Sequence, residues 1–202
     1  MSDRSVDLII FDLGRVLVDF DFNHVVRGLK RHSTLSKADI HHYFRHTPLW
    51  DAFERGKVLP GDFFQQLQKE LHLKDLTFET FTALWNSIFK EKHDSVALLR
   101  ELRSRYRLAM LSNVNKMHWD YVAGEYDFMK WFDFPVASYA VGYRKPDEAI
   151  YRIVLKKAGV APDRAVFIDD MDSHVQAARA LGIRAHQFTS AHQLRKDLAG
   201  IL

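Results

Sequence analysis

Asp12 stands at the end of the apolar run Leu8-Ile9-Ile10-Phe11, and Gly14 follows two residues later. Such a run reads as a short buried strand that projects one carboxylate from its C-terminal end. The glycine allows a tight turn that brings a backbone carbonyl close to whatever the carboxylate holds. Three further sites follow in order. Leu111-Ser112-Asn113 closes a second apolar run, Arg144-Lys145-Pro146 opens a helical pattern, and Phe167-Ile168-Asp169-Asp170 closes a third run. The steps from Asp12 to Ser112, Lys145 and Asp170 are 100, 33 and 25 residues. Open α/β sheets bind ligands at strand ends. Two adjacent buried carboxylates, Asp169 and Asp170, would be costly without a cation nearby. Lys145 at the start of a helix would add a positive charge where the helix dipole already favours anions.

This ordered set resembles the haloacid dehalogenase-like hydrolase superfamily. Within it, the chain is similar to the phosphatases that carry Asp-Leu-Gly in the first motif, such as bacterial sugar-1-phosphate phosphatases and the phosphatase domains of epoxide hydrolases. The resemblance spans the whole chain. It implies that Asp12 attacks phosphorus, forms an aspartyl phosphate and is freed by water, which splits one hard displacement into two easier ones. A carboxylate approaching a dianionic phosphate is repelled, so a divalent cation is implied. Oxygen ligands without cysteine suit Mg²⁺. The implied ligands are Asp12, the Gly14 carbonyl and Asp170, with Asp169 either an indirect ligand or a group orienting Lys145. Leu13, Gly14, Ser112, Asn113 and Lys145 are the implied phosphate-binding residues. The hydroxyl, amide and N–H groups of Ser112 and Asn113 are suited to phosphoryl oxygens. Asn115 reads equally as a contact to the leaving group or as a turn residue. In the stretch Trp50 to Lys57, Arg55 and Gly56 fall where helical caps of the C1 type present a glycine-containing specificity loop, which makes Trp50, Arg55 and Lys57 candidate substrate selectors.

Two positions depart from the family pattern. Gly14 replaces the usual second aspartate, which protonates the leaving group and later activates water, a contribution of about 10²–10⁴-fold. His174 replaces the acid or amide that usually trails Asp170 by four residues. Asp19 and Asp21, alternating with Val18, Phe20 and Phe22, read either as a substitute acid folded back over the site or as the polar face of a half-buried hairpin. His41, His42 and His46 include an i, i+4 pair with no third ligand in view, a surface patch rather than a zinc site.

The elements that position these residues follow from periodicity. Five strands are predicted at Leu8 to Phe11, Leu108 to Leu111, Phe134 to Ala140, Ala165 to Ile168 and Arg184 to Phe188. Helices are predicted at Asp94 to Arg103, at Pro146 to Ala158 with Pro at the first helical position, at Ser173 to Leu181 and at Ser190 to Leu198. Alternating strand and helix implies an α/β fold with a Rossmann-like parallel sheet, and the resemblance implies the order 5-4-1-2-3. Residues 21–92 lack a convincing buried strand but carry helical segments at Asn23 to Arg31, Ser36 to Arg45, Leu49 to Arg55, Gly61 to Leu71 and Phe78 to Phe89. Ser36 with Asp39, and Thr77, have the chemistry of N-caps. By resemblance this stretch is an all-helical C1-type cap inserted after strand 1, with residues 1–20 and 93–202 forming the catalytic core.

Composition narrows the rest. With 202 residues, 47% hydrophobic and 27% charged, the chain has the make-up of a globular protein. No apolar run is long enough to span a membrane, and Met1-Ser2-Asp3-Arg4-Ser5 lacks a signal-peptide pattern. The absence of cysteine removes disulfides and thiolate nucleophiles and suits a cytoplasmic location. A net charge of +3 with interleaved acids and bases favours a small phosphorylated metabolite as partner over nucleic acid. Oligomeric state and substrate identity stay open. Two alternatives compete with a Mg²⁺-dependent phosphatase: a metal-independent dehalogenase, which the Asp169-Asp170 pair disfavours, and a catalytically silent binder of phosphorylated ligands, suggested by Gly14 and His174.

Overall fold

The computed structural model describes residues 6–199; the N-terminal segment read above for targeting signals, residues 1–5, lies outside them. From the N-terminus come β1 (Leu8–Phe11), β2 (Val18–Phe20) and five helices: α1 (Phe22–Lys30), α2 (Lys37–His46), α3 (Pro48–Glu54), α4 (Pro60–Glu70) and α5 (Phe78–Asn86). Then follow β3 (Phe89–Glu91), α6 (His93–Arg103), β4 (Arg107–Ser112), α7 (Lys116–Glu125), β5 (Phe134–Ala137), α8 (Ser138–Val141), α9 (Glu148–Ala158), β6 (Ala165–Asp169), α10 (Asp172–Ala180), β7 (Arg184–Gln187) and α11 (Ala191–Ala199).

The main sheet is parallel in the order β5-β4-β1-β6-β7. With the five predicted strands numbered in sequence, this is the expected order 5-4-1-2-3. β1 lies at its centre with all four residues buried, since helices cover both faces. Ile9, Phe11, Met110, Val166 and Ile168 join the cluster on the side of α6 and α11. Leu8, Ile10, Ala109, Leu111 and Phe167 join the one on the side of α9 and α10. Phe11 is level with Met110 on β4 and Ile168 on β6. This register lets side chains far apart in sequence meet at one edge.

Helices α1–α5 bury a third apolar cluster around Trp85. Their starts follow local chemistry. Ser36 and Asp39 form a reciprocal capping box on α2, Thr77 caps α5, and Asp21 caps α1 by accepting from the Asn23 N–H. β2 and β3 pair antiparallel, so the helical stretch leaves and returns through a two-stranded ribbon.

Several elements differ from expectation. Pro146 is not the first residue of α9: Asp147 is the N-cap and the helix starts at Glu148. The third expected strand stops at Ala137, where α8 begins. β3 and α7 were not foreseen. β3 has three residues with exposed Lys90 at its centre, and α7 points His118 inward beside Met117 and Val122, which blurs its apolar stripe.

Candidate active site

β1 delivers Asp12 and β6 delivers Asp169, with Asp170 next in the loop. Asp12 N–H donates to the Ile168 carbonyl at 2.9 Å, so the β1–β6 ladder continues one residue past the strand. Carboxylate oxygens of Asp12, Asp169 and Asp170 lie within 4.8 Å of one another. Among the described residues, this is the one such group of three or more side chains able to ligate a metal. Three oxygen donors fit a hard divalent cation.

Lys145 Nζ reaches Asp12 Oδ1 at 2.7 Å and Asp169 Oδ2 at 2.6 Å, and all three side chains are buried. Burial, and then the Asp169 charge, push the Asp12 carboxyl up; Lys145 opposes them. Burial also disfavours the Asp169 carboxylate, but the Lys145 ammonium and the His174 ring outweigh it and hold that carboxyl down. Burial is the largest influence on Lys145 too, yet the two carboxylates raise its affinity for its proton.

The two neighbouring aspartates therefore differ. Asp169 accepts from the Met171 N–H at 2.9 Å, from Lys145 and from His174 Nδ1 at 3.0 Å, which occupies both of its oxygens. A carboxylate only accepts, so His174 Nδ1 carries the proton. His174 is thus a buried support for Asp169, itself placed by the Tyr151 hydroxyl donating to its carbonyl at 3.0 Å. Asp170 is half-buried; its carboxyl is pushed up by burial and by the adjacent Asp169 charge.

The turn after Asp12 differs from the simplest glycine turn. The left-handed residue is Arg15, φ 59°, one position beyond Gly14. Its N–H donates to the Val18 carbonyl at 2.7 Å and its guanidinium lies 4.3 Å above the Phe20 ring. A Cβ at Gly14 would stand 3.1 Å from Phe20 Cε1, so a side chain at this position would need the ring to give by a few tenths of an ångström. Asp19 pairs with Arg15 and Lys92, and Asp21 caps α1 while pairing with Arg27.

Asn113 takes a role other than the expected one. Its amide donates to the Lys145 carbonyl at 2.8 Å and its oxygen accepts the Lys145 N–H at 2.8 Å. Its side chain therefore clamps the lysine's backbone rather than offering itself to an anion. This clamp, and not a helix start, positions Lys145. Asn115 is buried: it caps α7 through the His118 N–H at 3.0 Å and its amide meets His118 Nδ1 at 3.1 Å. His118 Nε2 then donates to the Trp85 carbonyl at 3.0 Å. Burial pushes this imidazole down to about 4.

Between the helical insertion and the strand ends lies a cavity of about 270 Å³, bounded by Leu13, Gly14, Ser112 and Asn113 at the catalytic side. Phe20, Phe22, Phe44, Trp50, Ile88, Phe89 and Val114 form apolar walls, with His41, Arg45, Glu54 and His118 among them. Of the three expected selectors, Trp50 lines it and Arg55 and Lys57 do not. Lys57 is exposed. Arg55 bridges Asp51 at 2.8 Å and Asp147 at 2.7 Å, and holds the Asp147 carboxyl below the usual range. Arg144, beside Lys145, reaches Asp51 and Glu54 at 2.7 Å each. Ser138 accepts the Val114 N–H at 2.9 Å and donates to the Glu54 carbonyl at 2.6 Å. Sequence reading missed these ties, along with Phe20, His41 and Glu54, because each depends on a partner distant in the chain.

The chain matches the family described as haloacid dehalogenase-like hydrolase over residues 6–182. It is 28% identical to D-ribitol-5-phosphate phosphatase of Bacteroides thetaiotaomicron over 96% of this chain and 97% of that protein. It is 30% identical to the sesquiterpene phosphatase astK of Aspergillus oryzae over 86% and 85%. Among solved structures, a HAD family enzyme of Bacteroides thetaiotaomicron in complex with magnesium and inorganic phosphate superposes with a TM-score of 0.82. That match has 26% identity and covers 92% of this chain and 95% of that one.

Proposed function

The chain belongs to the haloacid dehalogenase-like hydrolases, and on that premise we propose that it is a cytoplasmic, Mg²⁺-dependent phosphatase that cleaves small organic phosphomonoesters through an aspartyl phosphate on Asp12. The phosphatases among its relatives support the reaction class. The observation that carries the mechanism is the buried Asp12–Lys145–Asp169 array at the ends of adjacent strands, with Asp170 beside it. Asp12, Asp170 and the Gly14 carbonyl would hold Mg²⁺, which would supply the positive charge that lets a carboxylate approach a phosphate dianion.

The chain's own residues do the rest. Lys145 fixes one oxygen of Asp12 and stabilises charge on the phosphoryl group as it moves. Asp169 holds Lys145, and Asn113 locks the lysine's backbone. Ser112 and the backbone around Leu13 and Gly14 receive phosphoryl oxygens. The Asp12 oxygen bonds to phosphorus as the ester P–O bond breaks, and the alcohol oxygen departs with the bond's electrons. Water then cleaves the aspartyl phosphate, giving inorganic phosphate and free Asp12. With no acid at position 14, esters whose oxygen departs readily are favoured: aryl phosphates, acyl phosphates and sugar 1-phosphates.

The test is phosphate release from acetyl phosphate and a metabolite panel, with Mg²⁺ and with EDTA. Asp12→Asn should keep its fold by circular dichroism and lose about 10³-fold or more of kcat, the scale of removing a nucleophile. EDTA-resistant phosphate release would overturn the Mg²⁺ dependence, no phosphate release with halide release from a haloacid would favour the dehalogenase, and substantial activity in Asp12→Asn would rule out the covalent route.

A further inference from the structure

We propose, resting on the phosphatase reading above, that the cavity takes a flat apolar group, so that aryl phosphates are this enzyme's substrate class rather than phosphorylated sugars. Two independent observations point there. The first is the state of the polar side chains on the cavity wall: of the six, His41, Arg45, Glu54, Ser112, Asn113 and His118, three are already engaged and Arg45 is exposed. Asn113 spends its amide on the Lys145 backbone. His118 has one ring nitrogen on the Trp85 carbonyl and the other at the Asn115 amide. Glu54 is paired with Arg144. A sugar's hydroxyls would leave water and meet rings, and each unpaired hydroxyl buried this way weakens binding.

The second observation concerns the aromatic walls and how firmly they are set. Phe22 packs edge-on to Phe44 at 4.9 Å and to Trp50 at 5.6 Å, and Trp50 lies 5.6 Å from buried Trp85. These rings are fixed by one another, so the cavity is preorganised for a ring-sized apolar guest. At its catalytic end the Phe20 ring edge lies against Gly14, 3.1 Å from where a Cβ would stand. Positions 14 and 20 thus offer a departing oxygen an aromatic edge and no proton donor. An aryl oxygen satisfies both conditions. Asp12 takes the phosphoryl group, the P–O(aryl) bond breaks, and the phenolate keeps the electron pair and takes its proton from solvent. Water then releases inorganic phosphate from Asp12.

Non-hydrolysable phosphonates separate binding from turnover. On the Mg²⁺-loaded protein, calorimetry should show 1-naphthylmethylphosphonate binding on the order of 10–100-fold more tightly than methylphosphonate, from the ring's buried apolar surface. A phosphonate carrying a sugar should bind no more tightly than methylphosphonate. Trp50→Ala and Phe22→Ala should each lower the naphthyl-to-methyl affinity ratio several-fold. The ratio within one variant cancels any loss of folded protein, and the wild-type ratio decides alone if a variant does not fold. In turnover, 1-naphthyl phosphate should exceed glucose 6-phosphate in kcat/KM. Equal affinity for naphthyl and methyl phosphonates, or tighter binding of the sugar phosphonate, overturns the proposal. If acetyl phosphate is still hydrolysed in that case, the phosphatase reading stands. If naphthyl binding is favoured but no phosphate ester or acetyl phosphate is hydrolysed, the assignment of substrates falls with the phosphatase reading and only the cavity's apolar character survives.

Discussion

At the scale of single residues, adjacency in sequence conceals a division of labour. Asp169 and Asp170 are neighbours, yet Asp169 is fully buried with both oxygens engaged, while Asp170 is half-exposed. Asp169→Ala should strip Lys145 of a buried partner and destabilise the fold by about 3–5 kcal/mol, read from urea unfolding. Asp170→Ala should leave stability largely intact and raise the Mg²⁺ concentration needed for half-maximal activity. Equal effects of the two variants on both readouts would contradict this assignment. His118 gives a pH prediction. Its folded pKa lies near 4, against an ordinary value of 6.5. Between those values the unfolded chain binds more protons, so stability rises with pH there and is lost as pH falls, by up to about 3 kcal/mol for this group. His118→Gln removes that dependence, so the stability gap between wild type and variant should narrow from pH 7 to pH 4.5. An unchanged gap would refute the neutral buried assignment. The motif residues themselves were visible because strand ends carry them in order. Their contacts were not: nothing in Asn113 announces that it grips the Lys145 backbone 32 positions away.

Elements were legible wherever burial imposed a period. β1, β4 and β6 are apolar runs because helices cover both faces, and α2 and α5 carry their caps in the sequence. α7 escaped because a histidine on its inner face is held by a carbonyl on α5, a tertiary fact that no period reports. The junction after α3 was legible only in part. Gly56, expected in a substrate-selecting loop, packs against α8. With φ at +68°, a Cβ there would stand 2.1 Å from the Tyr139 carbonyl oxygen. Gly56→Ala thus combines left-handed strain of about 1–2 kcal/mol with a clash against backbone that must move. Unfolding experiments should show a loss of at least about 2 kcal/mol, together with a raised KM as α3 shifts from the strand ends. A loss below about 0.5 kcal/mol, the range of an ordinary surface change, would mean that the contact is loose.

Across the whole molecule, one apolar cluster of the sheet, through Leu13, and the helical cluster, through Phe44 and Ile88, border the cavity, which reaches the residues next to Asp12. Arg144 and Arg55 fasten α3 to the loop that carries Lys145, so the part that shapes the cavity is tied to the part that holds the lysine. The helical insertion leaves through β2 and returns through β3, where Phe20 lies opposite Phe89, and both rings face the cavity. That ribbon also brings Phe20 against Gly14, where a Cβ would stand 3.1 Å from the ring edge. Gly14 has no left-handed φ, so its backbone admits other residues, and a side chain there needs the half-buried ring to give by a few tenths of an ångström. The two positions are therefore coupled: substitutions at 14 and at 20 should not add in their effect on stability, and a double-mutant cycle reads the difference.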